Sequence, residues 1–191
     1  MVNYYFHFGN MSKIGQKPIN IPQSVTVEII ENKISVKGKE GRLDFSLPRG
    51  IAVEKENDTL LCKRSSDSKQ QKSLHGLYRS LLANAVSGVE KLWEKKLEVV
   101  GTGFNVKLQG EDLVFKVGYS HPVLFKKEEG VKYAVEGSNK ISVKGIDKQL
   151  VGEIAYKIKM LKKPDAYKGK GIKYDGEKLR IKPGKKAKTT A

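Results

Sequence analysis

The sequence predicts an α+β fold built twice: two duplicated domains, each a small antiparallel β-sheet packed on one α-helix, with a basic C-terminal tail. Three observations carry that expectation. Apolar residues alternate with period two in several short runs, as in strands with one buried face. Two longer stretches carry apolar residues at helical spacing, each after a series of such runs. The whole pattern then recurs after about 80 residues, the mark of an internal repeat. A chain of 191 residues has room for two domains of that size.

The repeat does not lie where identical words suggest. ISVKG occurs at 34–38 and again at 141–145, but the shift of 107 sets KEGRLDF against IDKQLVG. The first continues as a turn and a strand, whereas the second opens a helix. A shift of 79–80 sets PRGIAVEKENDTLLC (48–62) beside EEGVKYAVEGSNKIS (128–142). Each has a glycine, an alternating strand, a polar turn and a second strand. The same shift sets SDSKQQKSLHG (66–76) beside IDKQLVGEIAY (146–156) and KISVKG (33–38) beside DLVFKVG (112–118). The two pentapeptides therefore belong to different strands of the two copies.

In the first copy, strands are expected at 25–30, 33–37, 43–47 and 59–63, with Ile51 and Val53 alternating between the last two. In the second they are expected at 97–108, interrupted at Gly101 and Gly103, then at 113–118, 131–135 and 141–144. Leu74, Leu77, Tyr78, Leu81, Leu82, Ala85, Val86 and Val89 form one continuous stripe on the first helix. Asp67 with Gln70 fits a capping box at its start. On the second helix Asp147 is the expected cap and Val151, Ile154, Ala155 and Ile158 the stripe. Pro164 closes it, because proline has no N–H and crowds the preceding turn. The expected division is an extension over 1–11, repeats over 12–91 and 92–166, and a tail over 167–191. Residues 89–97 join the repeats, with Trp93 packing at the junction.

The charge is as uneven as the pattern is regular. There are 37 Lys+Arg against 21 Asp+Glu, a net +16. Such an excess points to a polyanion or an anionic membrane surface as partner. From residue 157 onward, thirteen Lys or Arg face three acids, so a net +10 falls within 35 residues and +6 over the other 156. There the lysines alternate with Gly, Pro and Tyr rather than with core residues. Gly169 and Gly171 would let the backbone approach a phosphodiester chain. Tyr167 and Tyr174 would stack on or bond to nucleotides. A stretch of this composition is expected to be disordered alone and to order on a polyanion. Lys162, Lys163, Lys168, Lys170 and Lys173 are the first candidate contacts. Arg180, Lys182, Lys185 and Lys186 are the second.

Chemistry beyond charge finds no foothold. His7, His75 and His121 are widely spaced, without acidic or cysteine partners at metal-ligand spacing. The single cysteine, Cys62, excludes a disulfide within the chain and reads as a small buried hydrophobe in a strand. Gly101-Thr-Gly103 lacks the third glycine of a dinucleotide loop, and KGKG is not followed by the Ser or Thr of a P-loop. No apolar run approaches the roughly 20 residues that span a bilayer. The expectation is a cytoplasmic protein that is not an enzyme and takes no metal, cofactor or small-molecule substrate. Two positions keep two readings. His121, before Pro122, either shapes a turn that aims Tyr119 and His121 sideways or touches RNA together with Ser120. His75 and Arg79 face either solvent or RNA. Tyr4, Tyr5, Phe6 and Phe8 either dock on a partner or belong to a loosely held extension.

Four separated motifs, in order, resemble one family. MSKIGQKPINIP (11–22), SLHGLYRSLLANAVSGVEKLWEKKLEVVGTGF (73–104), GYSHPV (118–123) and KKPDAYKGKGIKYDGE (162–177) are similar to stretches of the bacterial-type sixth protein of the large ribosomal subunit. The resemblance covers about residues 11–188 and implies two duplicated α+β domains. It also implies binding to 23S-type rRNA near the stalk base, beside other ribosomal proteins and the docking place of translation GTPases. In that family the C-terminal domain and tail make the main rRNA contacts. Two departures stand out. Asn105 occupies a place where the family usually has a cation, and PDA at 164–166 stands where PEP is usual. Residues 1–10 match nothing in the family, and Met11 looks like its start, which implies translation from that methionine. The rival reading is a free-standing basic nucleic-acid-binding module.

Overall fold

The computed structural model describes residues 13–184. The aromatic run at Tyr4, Tyr5, Phe6 and Phe8 and the tail cations Lys185 and Lys186 lie outside the described residues. The chain splits into two compact units, Met1–Leu92 and Trp93–Ala191.

The first unit opens with a short helix α1 (Lys13–Gln16) and a two-residue strand β1 (Ile19–Asn20). Then come β2 (Thr26–Ile30), β3 (Lys33–Lys37), β4 (Arg42–Ser46), β5 (Ile51–Glu56), β6 (Thr59–Arg64) and the long helix α2 (Lys69–Glu90). The strands form two antiparallel sheets rather than one, in orders β1-β6-β5 and β2-β3-β4. Alternation places Val27, Ile34 and Val36 inward, where they are buried together with Leu60, Leu82, Val86 and Val89. From Leu82 to Val89 the helix stripe is the lid of this core, whereas Leu77, expected in the same stripe, is 48% exposed.

The cap of α2 differs from the expected one. Ser68, not Asp67, accepts the hydrogen bond, from the amide of Gln71. Asp67 is drawn away by Arg64, whose Nε donates to it at 2.9 Å. The Arg64 side chain is only 3% exposed. A guanidinium that deep needs a carboxylate, and this demand outweighs the cap.

The second unit repeats the plan with additions. Its elements are β7 (Trp93–Val100), β8 (Asn105–Gln109), β9 (Asp112–Lys116), β10 (Val123–Phe125), β11 (Val131–Glu136), β12 (Lys140–Gly145), α3 (Lys148–Leu161) and β13 (Gly171–Tyr174). The sheets run β11-β12-β7-β13 and β10-β9-β8, with every pair antiparallel. The turn at 137–139 ties them together, Val99 N–H donating to Asn139 O and Val106 N–H to Ser138 O. Asp147 caps α3 through the Gln149 amide at 2.8 Å, and Val151, Ile154, Ala155 and Ile158 are buried, as expected. The helix stops at Leu161, three residues before Pro164.

The two ISVKG words do occupy different strands, β3 and β12. Their glycines nevertheless solve the same problem. A Cβ on Gly38 would sit 2.6 Å from Val89 O, and one on Gly145 would sit 2.8 Å from a Val151 methyl.

Residues 89–97 do join the two units: α2 ends at Glu90, the boundary falls after Leu92, and β7 begins at Trp93, which packs on the second unit's own core. The Lys148 ammonium lies 4.4 Å from the Trp93 ring centre. One expectation fails: the basic stretch after α3 does not wait for a partner. β13 pairs with β7 from Gly171↔Val100 to Tyr174↔Leu97, and Ile172 is fully buried in the core. Composition misjudged it because one isoleucine, correctly placed on a free sheet edge, supplies the apolar anchor that the average denies.

Candidate nucleic-acid interface

Three pieces of chain meet at the C-terminal end of α3. The first is the loop carrying GYSHPV, where the Tyr119 hydroxyl donates to Leu161 O at 2.9 Å. The Lys162 ammonium sits 4.7 Å above the Tyr119 ring, a cation–π contact. The second is the turn at 164–170, closed by Asp165 N–H to Lys170 O, Gly169 N–H to Asp165 O and Lys168 N–H to the Asp165 carboxylate. The third is the stretch after β13, which doubles back so that Lys182 N–H donates to Ala166 O at 2.8 Å.

The glycines of KGKG have reasons within the fold. Gly169 has φ +68°, the left-handed turn that closes on Asp165. Gly171 has φ +149°, and a Cβ there would lie 2.6 Å from Pro164 Cα and 2.7 Å from Lys163 O. Both glycines are explained by the backbone they touch.

The result is a preformed cationic surface. Lys163, Lys168, Arg180 and Lys182 are exposed, and Lys170 is half-buried; none has a side-chain partner among the described residues. Tyr167 stands 59% exposed between Lys163 and Lys168 in sequence, its ring available to a planar base. His121 is exposed on the neighbouring loop. Lys162 is committed to Tyr119 and half-buried. Lys173 is tied to Glu98 at 3.0 Å, with its side chain 24% exposed, so part of its charge is met inside the protein. Such an array, fixed lysines and an arginine around one open ring, suits a phosphate backbone with unpaired bases.

Reasoning from sequence overlooked an acid that belongs to the same place. Glu177 accepts from Lys159 Nζ at 2.7 and 2.8 Å and from the Tyr174 amide at 2.9 Å. The Lys159 hydrogen bond, with that of the Tyr174 amide behind it, holds the Glu177 carboxyl below its ordinary 4.5. The signal was the turn YDGE, with Gly176 at φ +74° returning Glu177 toward Tyr174.

In the first unit the candidates turn inward. His75 is 2% exposed, its Nε2 2.9 Å from Cys62 O and its Nδ1 3.4 Å from Arg64. A Cβ on Gly15 would strike the ring at 2.3 Å, so α1 seals it and neither a solvent-facing nor an RNA-facing reading of His75 stands. Arg79 donates to Lys17 O at 3.0 Å and to Pro18 O at 3.3 Å, tying the start of β1 to α2. Burial pushes the Cys62 thiol up to about 11, which leaves it a poor nucleophile. Among the described residues no group of three His, Cys, Asp or Glu could hold a metal, and no helix is long and apolar enough to cross a membrane.

The two-unit chain has relatives among known proteins. The family described as Ribosomal protein L6 matches residues 21–91 and 100–175, one match in each unit. The large ribosomal subunit protein uL6 of Syntrophomonas wolfei is 51% identical over 175 residues, 92% of this chain and 98% of that protein. Its counterpart in Natranaerobius thermophilus is 49% identical over 178 residues, covering 93% of this chain and all of that protein. The chain therefore belongs to the ribosomal protein L6 family, whose part in the ribosome is structural and not enzymatic.

Proposed function

We propose that this protein is a constituent of the large ribosomal subunit that binds 23S-type rRNA through its second unit, organising that RNA near the stalk base and the translation-factor site. The first unit acts as a spacer toward neighbouring ribosomal proteins. Its place is the cytoplasmic ribosome. One observation carries the reading: residues 162–182 are folded onto the second unit, yet Lys163, Lys168, Lys170, Arg180 and Lys182 have no partner among the described residues. An ordered surface of unneutralised cations, crowded into one region, favours an anionic partner. Its lysines meet phosphates, while Tyr167 and His121 reach nucleosides. Lys185 and Lys186 extend the same charge along the sequence. Arg79, bound to two carbonyls, contributes to RNA only through donors those bonds leave free.

The test is a salt titration of binding to deproteinised large-subunit rRNA. Lys163→Ala with Lys168→Ala should weaken binding about tenfold or more and flatten the slope of log K against log[salt] by about two. A slope identical to that of the unaltered protein would remove these residues from the interface. Protection of the RNA that is diffuse and follows ionic strength alone would favour the free-standing basic module instead.

A further inference from the structure

The most basic stretch of the chain is held in shape by an acid. Glu177 lies between Lys159 on α3 and the Tyr174 amide at the end of β13, with both carboxylate oxygens on the ammonium. The same ammonium sits 4.5 Å from the Tyr174 ring centre, and Lys95 approaches that ring at 5.7 Å. Side-chain exposure is 19% for Lys159 and 28% for Glu177, so the pair is drier than the exposed pairs that contribute little. Directly after Glu177 the chain reverses. Leu179 and Ile181 methyls come within 3.6 and 3.7 Å of a Cβ position on Gly169, and Lys182 N–H reaches Ala166 O. Glu177 therefore stands at the junction between the sheet and the returning segment that carries Arg180 and Lys182.

We propose that Glu177 is a positioning residue for RNA: clamped to Lys159 and the Tyr174 amide, it lays residues 178–182 against the 165–169 turn and so presets the cationic surface. This rests on the RNA-binding reading above and deepens it. A carboxylate in a phosphate-binding region repels the ligand, so on charge alone its removal should help. Its position argues the opposite. Without the clamp, Arg180 and Lys182 must be ordered on the RNA at the moment of binding, and affinity falls by the cost of that ordering.

The experiment is a double-mutant cycle on the full chain, read as affinity for deproteinised large-subunit rRNA at fixed salt, below the melting temperature of every variant. Glu177→Gln and Lys159→Gln change the net charge in opposite directions, yet each should weaken binding about threefold to tenfold. The double variant, unchanged in net charge, should be no weaker than either single one. Lys159→Arg, which keeps the ion pair, should restore most of the affinity. If Glu177→Gln binds more tightly and Lys159→Gln more weakly, with the double variant near the unaltered protein, charge alone governs and the clamp has no positioning role. If the Arg substitution fails to rescue, the pair acts through general packing and the proposal falls. Loss of all effect from Lys163→Ala and Lys168→Ala would instead overturn the underlying RNA reading, whatever Glu177 does.

Discussion

The two units begin from one plan and part company at the third strand of the helix-backed sheet. In the first unit that strand, β1, is two residues long. In the second its counterpart, β7, is eight. The reason is legible in the residues. β1 lies within KPINIP, where Pro18 and Pro22 flank it and each lacks the N–H a ladder needs. β7 reads WEKKLEVV, free of proline until Gly101 turns the chain at φ +154°. A longer third strand leaves a longer open edge, and β13 fills it. The lesson is that the repeat supplied two similar cores, whereas the candidate surface follows a strand, β13, paired on the edge that the longer β7 offers in the second unit.

The sharpest way to break this comparison is to empty one buried place in the edge strand of each helix-backed sheet. Ile172 in β13 is fully buried, and Ile19 in β1 is 5% exposed. Replacing Ile172 by Ala should cost about 2–5 kcal/mol of stability by cavity formation, with Ile19→Ala toward the lower end because so short a strand relaxes more easily. Urea denaturation reads both. In conditions where both variants stay folded, rRNA binding should fall for Ile172→Ala and hold for Ile19→Ala. An equal loss of binding would deny that β13 is what sets the second unit apart.

A smaller effect is expected at Gly171. A methyl group there must displace the backbone of Lys163 and Pro164, at a φ that L residues rarely adopt. Gly171→Ala should cost about 1–3 kcal/mol and detach the start of β13 from the 163–164 segment. Amide hydrogen exchange at Ile172, whose N–H donates to Lys162 O, reports it directly. Gly103, with φ +76° but nothing within 4 Å, is the matched control, carrying backbone strain without the clash. Similar losses at both would assign the effect to backbone angle alone.

Much of the scaffold was readable because its signals are local. The stripe from Leu74 to Val89 and the one from Val151 to Ile158 depend only on spacing, and both helices lie where spacing puts them. The misses share a different cause. β13 exists through pairing with β7, some 70 residues earlier in the chain, and such pairing leaves no mark in a window of lysines and glycines. Ser68 replaced Asp67 as cap because Arg64, three residues before Asp67, claimed the carboxylate from a buried position. The candidate cations divided in the same way. Lys163 and Lys168 remain open, while Lys173 found Glu98 across the β13–β7 ladder, a partner 75 residues away in sequence. Charge count sees the cations; only the fold tells which of them already have a counterion.

The mildest test concerns glycines on the helical layer. In the first unit Gly15 is fully occupied, since a Cβ there would strike His75. In the second, Gly152 lies inside α3 with nothing within 4 Å of its Cβ position. A glycine in mid-helix without a packing reason costs stability, through the freedom it gives the unfolded chain. Gly152→Ala should therefore raise the stability of the free protein by about 0.5–1 kcal/mol, seen as a higher melting temperature. If stability rises and rRNA binding stays the same, that face of α3 is solvent in the complex. If stability rises while binding falls, the space above Gly152 belongs to the partner, and the interface reaches from the C-terminal end of α3 back along the helix.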